Sequence, residues 1–129
     1  MPCSYEIDLE HRLVRSKAWG VLTGAEIMGH QKCLAGDESF HPDFAQLADF
    51  TAVTKLQVDA EMVRQLAARH LYSAGSKRAL VVNTAVAKGM VRMFQTYREL
   101  AGGQEEIRIF SDCHEALQWL RHDQLAAHA

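Results

Sequence analysis

The chain has 129 residues, is 48% hydrophobic and 23% charged, and carries a formal net charge of −2. That length suits one domain able to bury roughly two thirds of its unfolded surface without disulfide or metal staples, and the composition excludes a globally disordered chain. The charge balance leaves no overall basic field for nucleic acid, and no apolar run reaches the roughly 18 residues of a membrane span.

In chain order, Tyr5-Glu6-Ile7-Asp8-Leu9 alternates with period two and reads as a strand. Glu10-His11 makes a tight polar connection, and Leu13 to Trp19 reads as a second strand ended by Gly20, so the chain opens on a hairpin. Thr23-Gly24-Ala25-Glu26 is a capping box. Ile27, His30, Gln31 and Leu34 follow on a helix that Gly36-Asp37 stops. Phe40-His41-Pro42-Asp43-Phe44 is a loop whose two aromatics are expected to pack down as anchors. Gln46-Leu47-Ala48-Asp49-Phe50 has the apolar run of a central strand, with a polar stretch after it to Val58. Asp59 caps a helix with Met62, Val63, Leu66 and Ala67 on one stripe and His70 near its end.

Gly75 breaks the chain, and Arg78-Ala79-Leu80-Val81-Val82 is the clearest buried strand. Val86, Met90, Met93, Tyr97 and Leu100 form the apolar stripe of a long helix closed by Gly102-Gly103. Within it Gly89 and Ala85 make a small pair suited to close packing. Ile107-Arg108-Ile109-Phe110 is the last strand. Asp112-Cys113-His114-Glu115 is a box-like cap, with Ala116, Leu117, Trp119 and Leu120 on the final helix and a tail expected to fray after Arg121.

The expected order is β-β-α-β-α-β-α-β-α, an α/β fold with a mostly parallel sheet, an antiparallel edge from the opening hairpin and flanking helices. No linker, repeat or low-complexity segment interrupts it, so residues 1–129 read as a single domain. Met1 to Glu10 lacks the apolar core of a signal peptide, so a cytoplasmic location is expected. The three cysteines, Cys3, Cys33 and Cys113, are far apart and form no CxxC, which fits a reducing compartment. His114 and His122 lie eight apart on a helix, about 12 Å, too far for one metal. Neither a metal nor a cofactor is expected.

Four stretches carry a resemblance: Trp19-Gly20-Val21-Leu22-Thr23; Phe40-His41-Pro42-Asp43-Phe44-Ala45-Gln46-Leu47-Ala48-Asp49; Gly89-Met90-Val91-Arg92-Met93-Phe94; and Glu115-Ala116-Leu117-Gln118-Trp119-Leu120. In them the chain resembles the SpoIIAA-like family, the STAS-type fold of anti-sigma-factor antagonists, related to CRAL-TRIO lipid-binding domains. It looks most like the stand-alone bacterial STAS/SEC14-like branch. The resemblance implies a non-enzymatic regulatory or ligand-binding module. In the antagonists an Asp-x-Ser-x-Val-Thr segment leads to a phosphorylatable serine at a helix start. Asp49-Phe50-Thr51-Ala52-Val53-Thr54 looks like the first half, but the helix here starts Val58-Asp59-Ala60-Glu61, with no hydroxyl to phosphorylate. Asp59 either caps that helix or stands as a fixed negative charge at its N-terminus.

Ligands of open α/β sheets bind outside the strand carboxyl ends. There this chain offers Asp49 with Thr51, Asn83 with Thr84, and Ser111 with Asp112, each near a helix N-terminus. Lys88 and Arg92, four apart on the long helix, share a face within reach of a phosphate or carboxylate bound there. Asp49, Thr51, Asn83, Thr84, Lys88 and Arg92 are therefore the candidate ligand-binding residues. No nucleophile elbow, Walker loop or Gly-x-Gly-x-x-Gly is present, so no catalytic residue is assigned. The expected partner is a protein or a small anionic or amphipathic molecule. A CRAL-TRIO-like lipid carrier is the alternative, although 129 residues leave little core to hollow out, and a small enzyme using Cys113 or Asp49 comes third. A homodimer fits any of these.

Overall fold

The computed structural model describes residues 2–128, the side chains of 122–128 excepted. Its elements follow the expected order: β1 (Cys3–Asp8), β2 (Leu13–Thr23), α1 (Gly24–Ala35), β3 (Ala45–Gln57), α2 (Ala60–Ala67), β4 (Lys77–Val81), α3 (Ala85–Leu100), β5 (Glu106–Phe110) and α4 (Cys113–His128). His122 and the tail expected to fray lie outside the fully described residues. The five strands form one sheet in the order β1-β2-β3-β4-β5, with β1 antiparallel to β2 and the other neighbours parallel.

That sequential order decides where the helices go. Crossovers of one hand, in a sheet that never reverses direction, all fall on the same face. Leu34 of α1 accordingly packs with Val14, and Val91 and Phe94 of α3 pack on Ala48, Leu80 and Ile107. The opposite face is left to α4, whose Ala116 and Leu120 pack on Leu13, Leu47, Ala79 and Val81. Phe40 and Phe44 anchor their loop as expected, Phe40 meeting Tyr72 edge to face at 5.4 Å between ring centres.

The local signals hold at the caps. Thr23 and Glu26 close a reciprocal capping box on α1, and Asp59 accepts from the Met62 N–H at 2.8 Å to cap α2. Three expectations need correction. Gly20 does not end β2. At φ +65° it sits within a register shift, and the strand runs on to Thr23. The supposed polar connection after Phe50 is the second half of β3, paired with β2 as far as Gln57. Its β-branched Thr51, Val53 and Thr54 favour extended backbone. On α3, Leu100 is 77% exposed while Arg98 is 2% exposed. The helix turns an ionic group inward because that group has buried partners waiting for it.

Candidate functional site

The crossover helices do not close completely on the sheet. Between β2, β3 and β4 on one side and α1, α2 and α3 on the other lies a cavity of about 420 Å³, within the range of roughly 300–1,000 Å³ usual for small-molecule sites. The opening exists because the strands present small side chains there: Ala18 and Ala48 face it, and α3 adds Ala87. A chain of this length thus leaves more room than expected. Most of the wall is aliphatic or aromatic, including Leu22, Leu66, Leu80, Met90 and Phe94. The lining residues Thr54, Lys55, Asn83, Thr84 and Val86 are solvent-exposed and mark its mouth, at the carboxyl ends of β3 and β4.

Polar groups interrupt the wall on the α1 side. Ile27, His30, Gln31 and Leu34 share the inward face of α1 by their i, i+3, i+4, i+7 spacing. Ser16 Oγ, His30 Nε2 and Gln31 Oε1 are buried without a hydrogen-bond partner among the described residues. Buried polar atoms are rarely left so, and all three residues line the cavity, where water or a bound molecule is the kind of partner such atoms take. Burial depresses the His30 pKa against a backbone contact at Ser4, so the ring is neutral at neutral pH. Tyr5 meets it edge-on at 5.3 Å between ring centres.

The inner end of the cavity is ionic. Gln46 and Arg78 are register partners on β3 and β4 and both line the cavity. Arg78 is 5% exposed and donates through Nε to Gln46 Oε1 at 2.9 Å. Its guanidinium carbon lies over the rings of Tyr72 and Phe94, 4.6 and 5.3 Å from their centres. Behind it, Glu105 takes a bidentate pair from Arg98, Nε to Oε1 at 2.5 Å and Nη2 to Oε2 at 2.8 Å. Arg98 Nη1 donates to the Ala67 carbonyl at 2.7 Å, closing the C-terminus of α2.

Four of the six expected residues meet. The Asp49 carboxylate accepts from the Thr51 N–H at 2.9 Å and hydroxyl at 2.6 Å. Thr51 in turn accepts, at its carbonyl, from Asn83 Nδ2 at 3.3 Å. Thr84, next in sequence, caps α3 by accepting from the Ala87 N–H. Burial raises the Asp49 pKa, but the two Thr51 bonds and the Cys113 thiol bring it below the ordinary carboxylate value. Burial and that carboxylate push the Cys113 thiol up to about 11, so it is not a thiolate at neutral pH. Asn83 and Thr84 line the cavity; the Asp49 backbone borders it while its carboxylate turns to Cys113 on the α4 face, and Lys88 and Arg92 are exposed along α3 and are not among its lining residues. Ser111 and Asp112 are exposed, Asp112 accepting from the His114 N–H at the start of α4.

Ser16, Gln46, Arg98 and Glu105 are not among the residues the sequence singles out for a site, and Arg78 is singled out there only at the head of the strand that feeds α3. A signal existed for two of them. Gln46 and Arg78 each open an otherwise apolar strand run and fall on the same side of the sheet. The signal for His30 and Gln31 was their place on the apolar spacing of α1. Among the described residues, no group of three His, Cys, Asp or Glu side chains stands ready to hold a metal ion, and no helix is long and apolar enough to cross a membrane.

No family model matches the chain, and a search of curated proteins returns no match. Among solved structures, it is similar to an uncharacterized protein of the DUF3478 family with a SpoIIAA-like fold from Shewanella loihica PV-4. The TM-score is 0.59 at 20% sequence identity, over 92% of this chain and 93% of that one. The chain has a SpoIIAA-like fold.

Proposed function

We propose, from that fold, that residues 1–129 form one STAS-like, non-enzymatic binding module that holds a small amphipathic molecule in the cavity under α1, α2 and α3. The observation that carries this reading is an opening of about 420 Å³ with a largely apolar wall and a polar mouth at the strand carboxyl ends. Asn83 and Thr84 serve at the mouth. Asp49 and Thr51 hold Asn83 in place through the Thr51 carbonyl. Lys88 and Arg92, on the outer face of α3, are the surface through which a protein partner would sense the occupied state. Against a small enzyme stands the protonated Cys113 thiol, tied to Asp49. A cytoplasmic location and a homodimer remain part of this reading, which needs no cofactor. The apolar wall also favours the carrier alternative, which differs in requiring exchange of the molecule between membranes.

The test is a thermal-shift screen of amphipathic compounds on the wild type, with native mass spectrometry of the protein as purified. Ala48→Phe and, independently, Ala87→Leu place bulk in the cavity from opposite walls. Stabilisation by a hit is expected to vanish in both and to survive Arg92→Ala. An unchanged shift in both filled variants overturns the reading.

A further inference from the structure

We infer that the cavity selects an amphipathic anion and seats its carboxylate at the inner end, against Arg78, with the apolar tail toward the mouth. This rests on the proposed binding reading and adds the charge and orientation of the ligand.

The argument is one of charge. Arg78, Glu105 and Arg98 bring two guanidinium groups and one carboxylate into a single buried cluster. Both oxygens of Glu105 are committed to Arg98 at 2.5 and 2.8 Å, and Arg78 reaches only Oε1, at 3.3 Å. The surplus charge therefore rests on Arg78. Its closest bonded partner, Gln46 at 2.9 Å, is neutral. Arg78 Nη2 donates in no bond among the described residues, so one edge of the planar fork is left for an acceptor. The Tyr72 and Phe94 rings, whose centres lie 4.6 and 5.3 Å from the guanidinium carbon, offer it cation–π contact but no hydrogen-bond acceptor in their faces.

Of the charged residues around the cavity, Arg78 lies at its inner end and Lys55 at its exposed mouth, whereas Lys17 and Asp49, register partners, turn to the opposite face, where the Asp49 carboxylate meets the Cys113 thiol of α4. An unmatched charge in low dielectric is costly. A carboxylate arriving on an apolar chain cancels it, while the chain fills the wall behind. A neutral alcohol of the same length fills the wall and leaves the charge.

The experiment measures the affinities of decanoate, decanol and decylamine for the full chain by calorimetry. Decanoate is expected to bind more tightly than decanol by on the order of ten- to a hundredfold, the worth of a charge-assisted hydrogen bond, and decylamine most weakly. Arg78→Met is expected to bring decanoate down to the decanol value with decanol unaffected, and Lys55→Ala to keep the preference. Equal binding of decanoate and decanol, or loss of the preference in Lys55→Ala but not in Arg78→Met, overturns the orientation. Should Arg78→Met not fold, the same comparison is made in Gln46→Met, where the fork loses its orienting acceptor and the preference is expected to shrink. No binding of any of the three compounds tells against the cavity reading itself, a separate outcome from binding without charge preference.

Discussion

Two glycines show how differently one residue type is used. Gly89 sits in the middle of α3, is exposed, and a Cβ built on it meets nothing within 4 Å. The close packing expected of the Ala85–Gly89 pair does not occur, because that side of the helix faces solvent. Gly89→Ala should therefore raise stability by about 0.5–1 kcal/mol, the helix-propensity difference, read as a higher midpoint of thermal unfolding. Gly103 is the reverse case, since its Cβ would strike the buried Arg98 guanidinium. Gly103→Ala should lower the midpoint by displacing the partner of Glu105. His30 gives a pH dependence with a definite sign. In the unfolded chain it titrates near 6.5, and burial lowers its pKa in the fold. As pH falls, the unfolded chain takes the proton first, so stability present above about pH 6.5 is lost below it. His30→Gln should flatten the fall of the unfolding midpoint between about pH 7 and 5, and an unchanged slope would show that other groups carry it.

At the scale of elements, sequence and structure agree where one local rule decides. The capping box of Thr23 and Glu26 was readable because both halves lie within one turn. Thr23→Ala should cost about 1 kcal/mol in chemical unfolding. All nine elements were legible in kind and order, since periodicity switches cleanly between strand and helix. The misreadings share a cause: partners distant in sequence. β3 continues past Phe50 because β2 lies alongside it, and Arg98 turns inward because Glu105 and the end of α2 receive it. The candidate site divided in the same way. Asn83 and Thr84 follow the end of β4 and could be placed by the fold alone, whereas Asp49 and Thr51, expected at a strand end, lie within β3, which runs on past them to Gln57. Arg78 could be placed at a strand start, but its unmatched charge depends on counting a carboxylate 27 residues away.

At the scale of the molecule, the two faces of the sheet do different work. One face is covered by the single helix α4 with tightly packed Ala116 and Leu120. The other holds three helices over a cavity, so substitutions on the two faces should separate in their effects. Ala116→Leu should overpack the first face and destabilise by about 1–3 kcal/mol without altering ligand selectivity, measured by unfolding and by the decanoate-to-decanol ratio. The unreversed strand order bears on how the chain reaches this arrangement. Each strand pairs with the one before it in sequence, so no segment must wait for a distant partner before docking. A sheet of this kind can grow in the direction of synthesis, one βα unit at a time, with the loop-closure cost of each step kept small. Folding should then be fast for a parallel sheet, and a ribosome-bound chain should already protect the β1–β2 hairpin from proteolysis before β5 has emerged.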